Sequence, residues 1–360
     1  MRVEHDVELA TLTTMRVGGP AARLVHVATT DELVDAVREV DDADEPLLVL
    51  GGGSNLLVAD EGFPGTVVRV ESDGVHVESD DSCGGANVRV DAGVGWDELV
   101  ARAVAEGWAG IEALSGIPGS TGATPIQNVG AYGQEVADTV AQVRVWDRQT
   151  ASVRTVAGPD CGFAYRDSRF KGGDGKGGRY VVLDVLFQLR VADLSGPVRY
   201  ADLARALDVP LGGRAPLAEV REAVLAQRGA RGMVLDADDN DTWSCGSFFT
   251  NPVLSGVESD ALATRVHERL GADVDPPQWP EPDGRRKTSA AWLIDRAGFA
   301  KGHGLPAPAA LSTKHTLAVT NRGGATTADV LALAREVRDG VEAAFGVRLV
   351  NEPVIVGDRL

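Results

Sequence analysis

Along most of the chain, apolar residues recur either at helical spacing or in short runs of strand length. Residues 31–40 place four apolar side chains on one helical face, and Thr30 or Asp31 is a suitable N-cap. The apolar run 46–50 predicts a strand that leads into the turn Gly51-Gly-Gly-Ser-Asn55, and the β-branched run 66–70 predicts another strand. These elements together predict an α/β layer at the start of the chain.

The middle of the chain reads as mostly strands, followed by helices. The pattern predicts strands over 87–91, 139–146, 152–156 and 180–189, with 139–146 and 152–156 forming a hairpin, and helices over 96–106 and within 200–230. Segment 73–86 is acidic and contains glycine, so an exposed loop with Cys83 at its tip is expected there. The low-complexity run 171–178 predicts a mobile loop.

The last third begins near Asp236 and alternates helices with short connections. Its pattern predicts helices over 258–270, 288–297 and 327–345, a proline-rich crossover at 276–282, and a strand-like segment at 347–356 that returns to the first sheet.

One central stretch, residues 107–133, combines seven glycines with apolar residues such as Ile111, Leu114 and Ile126. Those apolar side chains predict a buried loop, and the backbone polar groups of a buried loop need partners. A polar ligand supplies such partners, and glycine lets the backbone approach it closely. The stretch is therefore predicted to form the wall of a large cofactor site.

Composition narrows the choice of partners. The formal net charge of −18 over 360 residues disfavours nucleic acid and anionic membrane surfaces. The three cysteines, Cys83, Cys161 and Cys245, are widely spaced, so neither a disulfide framework nor a metal site is expected. The charged N-terminal segment and the lack of a long apolar run predict a cytoplasmic protein.

Seven short motifs occur in one order along the chain: Gly51-Gly-Gly-Ser-Asn55, Gly116-Ile-Pro-Gly-Ser-Thr-Gly122, Pro125-Ile-Gln-Asn-Val-Gly-Ala-Tyr-Gly133, Tyr165-Arg-Asp-Ser168, Gly246-Ser-Phe-Phe-Thr-Asn-Pro252, Trp292-Leu-Ile-Asp295 and Asn351-Glu-Pro-Val354. Their joint order closely resembles the UDP-N-acetylenolpyruvoylglucosamine reductase (MurB) family, over essentially the whole chain. The segment Val198-Arg-Tyr-Ala-Asp-Leu203 and the helices after it resemble the type I subclass, in which a tyrosine covers the substrate.

The resemblance implies an α+β protein with a two-part FAD-binding fold of the vanillyl-alcohol-oxidase type and a C-terminal α/β substrate-binding domain. The implied domains are 1–70 with 347–360, then 71–236 with a helical insertion at about 200–230, then 237–346. The implied activity is reduction of UDP-N-acetylglucosamine enolpyruvate to UDP-N-acetylmuramate with FAD and NADPH, in peptidoglycan biosynthesis. The partners expected are the nucleotide-sugar substrate and NADPH, with no nucleic acid, membrane or obligate protein partner.

The motif matches assign the family's functional residues to positions of this chain. Ser247 is the implied proton donor, Arg166 offsets charge at the substrate carboxylate, and Glu352 acts there as an acid or a hydrogen-bond partner. The implied cofactor-binding residues are Arg16, Gly51, Gly52, Gly53, Ser54, Asn55, Gly119, Ser120, Thr121, Gly122, Ala123, Asn128, Gly130, Ala131 and Tyr132. The implied substrate-binding residues are Tyr200, Arg231, Asn251, Lys287 and His315.

One departure and two alternatives accompany the resemblance. Arg231 stands where lysine is usual, and a guanidinium binds phosphate in bidentate fashion where an ammonium acts as a point charge. The first alternative is an oxidase or dehydrogenase on the same FAD fold, although no His or Cys able to tether a flavin lies within the 51–55 turn. The second is a nucleotide-sugar-binding protein without activity, which the joint presence of Ser247, Arg166 and Glu352 disfavours.

Overall fold

The computed structural model describes residues 1–81, 83–172 and 178–360, and its contacts divide the chain into two compact units. The first unit comprises residues 1–7, 21–53 and 63–234, and the second comprises 8–20, 54–62 and 235–360. The division falls inside the 51–55 turn. The boundary at 234/235 lies next to the one predicted at 236/237, while the three-domain division stays a prediction.

Regular elements occupy both units. The strands described are β1 (Arg2–Glu8), β2 (Pro20–Val27), β3 (Leu47–Leu50), β4 (Leu56–Val58), β5 (Phe63–Val70), β6 (Val75–Asp81), β7 (Gly85–Asp91), β8 (Trp108–Ala109), β9 (Gly130–Ala131), β10 (Gln134–Glu135), β11 (Val140–Asp147), β12 (Ser152–Ala157), β13 (Tyr180–Val191), β14 (Val253–Leu254), β15 (Gln278–Pro280), β16 (Arg286–Thr288), β17 (Ala309–Leu311), β18 (Val319–Asn321) and β19 (Val354–Val356). The α-helices described are α1 (Thr30–Asp42), α2 (Trp96–Ala105), α3 (Ala201–Ala206), α4 (Leu217–Ala230), α5 (Gly256–Leu270), α6 (Ala290–Ala297) and α7 (Thr327–Phe345).

Two larger sheets and the two-stranded β9–β10 hairpin are described in the first unit. The smaller has the strand order β1-β2-β5-β3, with β5 parallel to both β2 and β3. The larger has the order β12-β11-β13-β7-β6, antiparallel throughout, and β8 pairs with the end of β13. One buried apolar cluster runs from Val25 to Leu189, so residues of both predicted FAD-binding subdomains share a core. An ion pair of 2.6 Å also joins Arg148, which directly follows β11 of the larger sheet, to Asp41 of α1.

Helices α3 and α4 fall within the predicted insertion at 200–230 and pack over a small apolar cluster of their own. Leu203, Val220 and Val224 are buried there against Ala113, which belongs to the central glycine-rich stretch. The insertion therefore covers part of the predicted cofactor wall.

The second unit contains three short sheets and three helices. Its sheets are β14-β16-β15, β17-β18, and a parallel pair of β4 with β19. Helix α7 begins with a capping box between Thr326 and Asp329, and the Asp60 carboxylate accepts hydrogen bonds from two backbone N–H groups of its first turn. Such bonds satisfy donors that a helix N-terminus otherwise leaves unpaired.

Several sequence predictions are corrected by the structure. Segment 73–86 is mostly the β6–β7 hairpin rather than a loop, with Cys83 exposed in its turn. The N-cap of α1 is Thr29, one residue before the predicted pair, because its side chain accepts from the Glu32 N–H. The crossover at 276–282 contains strand β15, and the C-terminal segment pairs with β4 instead of joining the four-stranded sheet.

The predicted loop at 171–178 falls largely outside the described residues. Within the described part of the chain, no helix combines the length and apolarity needed to cross a bilayer.

Candidate functional site

The two glycine motifs of the first unit pack against each other. A Cβ atom on Gly52 would lie 2.7 Å from the Cα of Gly119, and one on Gly51 would overlap the Ser120 hydroxyl. Gly53 adopts φ 60°, in the region that favours glycine. The structure thus brings together residues 51–52 and 119–120, which the sequence predicts to contact the same cofactor.

The next residues of the second glycine motif are fixed by the segment that follows β7. The backbone N–H of Thr121 donates to Val94, and that of Gly122 donates to Ala92. The N–H of Ala123 donates to Ser120 within a short 3-10 turn. These three N–H groups already donate to protein carbonyls. They therefore hold the predicted cofactor wall in shape, and they do not offer hydrogen bonds to a ligand.

A tight hairpin carries the third motif. Strands β9 and β10 pair Ala131 with Gln134, and Tyr132 lies at the tip with φ 51°. The Tyr132 ring meets the Tyr200 ring edge-on at 5.6 Å, and Tyr200 remains 47% exposed. Burial raises the pKa of Tyr132 above its ordinary value. The hairpin thereby brings a predicted cofactor residue against a predicted substrate residue.

Arg166 sits on a separate tight turn of the same unit. Its backbone has φ 52°, and its guanidinium donates to the carbonyls of Asn128 and Gly130 at 3.3 and 2.7 Å. A Cβ on Gly130 would lie 3.3 Å from the Arg166 guanidinium, so glycine permits this approach. Arg166 is therefore fixed along the backbone of the 128–130 segment.

Two arginines lie at the end of the helical insertion. Arg231 forms an ion pair of 3.5 Å with Asp202, and Arg228, which the sequence reasoning missed, is half-buried with its Nε covered. Burial lowers the pKa of Arg228 to about 10, and its Nε has no hydrogen-bond partner among the described residues. A guanidinium whose covered Nε–H has no partner among the described residues suits an anionic ligand group, such as a phosphate or a carboxylate. The sequence could have indicated Arg228, because it lies about one helical turn before the predicted substrate residue Arg231.

In the second unit, Ser247 and Glu352 lie on neighbouring segments. Phe249 and Asn351 form an antiparallel bridge, and the N–H of Glu352 donates to the Phe248 carbonyl at 2.9 Å. Phe248 and Phe249 are each 1% exposed, which anchors the loop in the apolar core. The backbones of two motifs that are about a hundred residues apart in sequence are therefore adjacent, while the catalytic roles of Ser247 and Glu352 stay predictions.

Asn55, Arg16 and the neighbouring Thr14 make contacts with residues next to the same two motifs. The Asn55 side chain donates to the Glu352 carbonyl at 3.3 Å, and the Thr14 hydroxyl donates to the Ser244 carbonyl. Arg16 stacks its guanidinium 3.8 Å from the centre of the Trp243 ring. Trp243 was missed by sequence reasoning, because nothing in the motifs pairs it with Arg16.

Asn321 also escaped the sequence reasoning. Its side-chain amide donates to the backbone carbonyls of both Met15 and Arg16, at 3.2 and 3.1 Å. Only the fold brings residue 321 to the 14–16 segment, so no local signal in the sequence reveals this role.

The remaining predicted substrate residues lie near the β14–β16 sheet and the β17–β18 connection. The Asn251 side chain accepts from the Ala290 N–H at the start of α6, and Lys287 forms an ion pair of 2.7 Å with Glu281. His315 lies in the turn before β18, where its N–H donates to the Ser312 hydroxyl.

Comparison with known proteins agrees with the order of these motifs. The family described as UDP-N-acetylenolpyruvoylglucosamine reductase, C-terminal domain, matches residues 238–356, and an FAD binding domain matches residues 21–156. Ser247 and Glu352 fall in the first range and both glycine motifs in the second, while Arg166, Tyr200 and Arg231 lie between the two.

Relatives resemble the chain over its whole length. UDP-N-acetylenolpyruvoylglucosamine reductases of Thermobifida fusca and Streptomyces avermitilis are 60% and 57% identical, over 99% of this chain and 98% and 95% of their own. The crystal structure of the Thermus caldophilus MurB reductase is 28% identical, covers 99% of both chains and superposes with a TM-score of 0.65.

These matches confirm the predicted fold class, an FAD-binding region followed by a C-terminal domain of this reductase family. The chain belongs to the UDP-N-acetylenolpyruvoylglucosamine reductase family and is an FAD-containing oxidoreductase.

Proposed function

We propose that this enzyme uses NADPH to reduce UDP-N-acetylglucosamine enolpyruvate to UDP-N-acetylmuramate, a step of peptidoglycan biosynthesis. The observation that carries the proposal is the pairing of the Ser247 loop with the Glu352 segment in the second unit. Protonation of an enol intermediate requires a proton donor, and an acid on a neighbouring segment can restore that donor's proton. The cytoplasmic location stays a prediction from the sequence.

FAD fits the residues of the first unit. The close packing of residues 51–52 on 119–120 forms a continuous backbone surface, and the unpaired Nε of Arg228 is a buried donor for an anionic group. The chemistry that FAD supplies when bound is hydride transfer, from NADPH to the terminal carbon of the enolpyruvyl group. Residues 51–55, 119–123 and 130–132, with Arg16, are the proposed cofactor contacts, and Asn128, whose side chain is buried, belongs to the same wall.

Ser247 is the proposed proton donor to the carbon next to the substrate carboxylate. The buried rings of Phe248 and Phe249 hold its loop in place. A positioned general acid contributes roughly 10² to 10⁴ in rate. The hydroxyl returns to its protonated form after each turnover by taking a proton from solvent or from a neighbouring acid.

Arg166 and Glu352 are proposed to act on the carboxylate side of the substrate. Negative charge grows there after hydride transfer, and a fixed guanidinium offsets it. A fixed donor at a developing oxyanion is typically worth about 3 to 4 kcal/mol. Glu352 serves as an acid or as a hydrogen-bond partner at the same end of the substrate.

The nucleotide-sugar is proposed to bind Tyr200, Arg231, Asn251, Lys287 and His315. In the structure, Arg231 and Lys287 already pair with carboxylates, Asp202 and Glu281. Binding of the diphosphate would therefore exchange these ion pairs for contacts with phosphate, so the arginine at 231 can serve in place of the usual lysine.

The visible spectrum of the purified protein tests the proposal. We expect an oxidised flavin spectrum that bleaches with NADPH and returns, under anaerobic conditions, on addition of UDP-N-acetylglucosamine enolpyruvate. A protein that stays colourless after reconstitution with FAD would overturn the proposal, as would reduced flavin that the substrate does not reoxidise. Flavin that remains with acid-precipitated protein would instead favour a covalent flavin oxidase.

A further inference from the structure

The Asn128 side chain forms hydrogen bonds with three other groups of the protein. Its amide nitrogen donates to the Glu135 carboxylate at 2.9 Å and to the Ala164 carbonyl at 3.0 Å, and its oxygen accepts from the Ala137 N–H at 3.2 Å. The residue is 1% exposed and adopts φ 41°, a conformation that asparagine tolerates better than most residues. Three bonds and full burial leave the amide committed to one orientation.

The Ala164 carbonyl closes the turn that carries Arg166. The N–H groups and carbonyls of Ala164 and Asp167 bond to each other in both directions, so Tyr165 and Arg166 form a two-residue turn. Ser168 continues the anchoring, because its hydroxyl donates to the Ile126 carbonyl at 2.9 Å. The base of the turn is therefore attached to the 126–128 segment by side chains.

The same segment also receives the guanidinium of Arg166, on the carbonyls of Asn128 and Gly130. Asn128 thus contacts the Arg166 turn twice, by its side chain at the base and by its carbonyl at the guanidinium. A residue that touches both ends of a turn fixes where the charged group points.

We propose that Asn128 is a positioning residue: it holds the Arg166 guanidinium in the orientation that offsets charge at the substrate carboxylate. In this assignment the Asn128 side chain supports Arg166 and does not contact the cofactor directly, as the sequence had predicted it would. The inference rests on the proposed function of Arg166. It predicts that losing the amide slows reduction of the substrate while leaving reduction of the flavin by NADPH unchanged.

The substitution that tests it is Asn128→Asp combined with Glu135→Gln. Aspartate keeps the shape of asparagine but cannot donate, so the bond to the Ala164 carbonyl is lost. The Glu135→Gln change removes repulsion between two carboxylates and supplies a donor for the new one. The pair therefore preserves the contact between positions 128 and 135 and the net charge, while the anchor bond of the turn is replaced by repulsion between the new carboxylate and the Ala164 carbonyl.

Anaerobic stopped-flow measurement of the two half-reactions gives the first readout. We expect reoxidation of reduced flavin by the substrate to be roughly 10- to 100-fold slower, as for a displaced catalytic group. Flavin reduction by NADPH should stay within about twofold of wild type. Equal slowing of both half-reactions, or none, would overturn the proposal.

Coupling to Arg166 gives the second readout. If Asn128 acts through the guanidinium, adding N128D/E135Q to Arg166→Lys should slow reoxidation by no more than about twofold beyond Arg166→Lys alone. Effects that multiply would show that the two residues act independently, which contradicts the proposal. Asn87→Asp is the matched control, since it removes the Asn87 donor bond to Ser79 on the β6–β7 hairpin, and it should change neither half-reaction.

Trypsin cleavage of the FAD-free protein gives a readout independent of activity. Loosening the turn should speed cleavage after Arg166 in N128D/E135Q, seen by mass spectrometry, but not in N87D. If N128D/E135Q does not fold, Asn128→Gly, which keeps the positive φ, is judged by the same criteria. Wild-type enzyme that fails to be reoxidised by the substrate would refute the proposed function; a functional wild type with an unaffected Asn128 variant would refute only this inference.

Discussion

The backbone N–H of Glu352 donates to the carbonyl oxygen of Phe248 at 2.9 Å, which places Glu352 beside the residue that follows Ser247. The bond belongs to a short antiparallel contact that also pairs Phe249 with Asn351. Two candidate catalytic residues of the second unit are therefore held by main-chain bonds. Substitution of either side chain should leave this backbone arrangement intact.

Ser247→Ala should separate the two half-reactions. Without the hydroxyl, flavin bleaching by NADPH should proceed at the wild-type rate, while reoxidation by the substrate should fall by roughly 10² to 10⁴. Stopped-flow absorbance measures both rates. Thr250→Ser, a conservative change in the same loop, serves as the control, and equal loss of both half-reactions in Ser247→Ala would contradict the role of proton donor.

Gly52→Ala should abolish or strongly reduce FAD content. The added Cβ would lie 2.7 Å from the Cα of Gly119, a main-chain atom that cannot rotate away, so the two glycine motifs must separate. Gly229→Ala in α4 is the matched control, because its Cβ would meet nothing within 4 Å. Alanine there should raise stability by about 0.5 to 1 kcal/mol. Flavin absorbance per protein and the thermal midpoint check both variants, and full FAD content in Gly52→Ala would refute the expectation.

Asp147→Asn should weaken the dependence of thermal stability on pH below about pH 4. Hydrogen bonds from Arg179 lower the pKa of Asp147 to about 2, from an unfolded value near 3.8. Its stabilising contribution is therefore complete above pH 3.8 and is lost as the pH falls through about 2.

The wild-type protein should thus exceed Asp147→Asn in thermal midpoint at neutral pH, and the difference should shrink between about pH 4 and pH 2. Asp35→Asn, at an exposed position of α1, controls for the change in net charge. A difference that does not depend on pH would contradict the ionic origin of the stabilisation.

Maleimide should label one thiol of the native protein at neutral pH. Cys83 is exposed, whereas burial raises the pKa of Cys161 to about 11 and that of Cys245 to about 12. Thiolate is the reactive form, so both buried thiols are protected by pKa as well as by access. Peptide mapping should find only Cys83 modified until denaturant is added, and labelling at Cys245 in the folded protein would contradict its burial beside the Ser247 loop.

Periodicity predicted the long regular elements well, and failed where a strand carries few apolar residues. The predicted helix over 327–345 matches α7, since eight of its residues are buried along one face. Strand β6 was missed because it lies at the edge of its sheet, exposes most of its side chains and has an acidic sequence. An edge strand needs only one partner and one covered face, so its sequence carries a weak alternation.

The order of the motifs predicted which residues lie close together, but not which hydrogen bonds each side chain forms. Gly51, Gly52, Gly119 and Ser120 come together as expected, whereas the bonds that commit Asn128 reach residues as far as 36 positions away. A local pattern cannot report a partner that only the fold brings near. The roles of Trp243 and Asn321 beside Arg16 escaped prediction for the same reason.

The parallel pairing of β4 with β19 has a consequence for the newly made chain. Asn55 and its partner Glu352 are 297 positions apart. At a synthesis rate of about 5 to 20 residues per second, roughly 15 to 60 s separate their appearance at the ribosome. For that interval β4 has an unsatisfied edge, so it must avoid pairing with other growing chains. The time before β19 is synthesised is therefore an interval in which β4 is open to pairing with another chain.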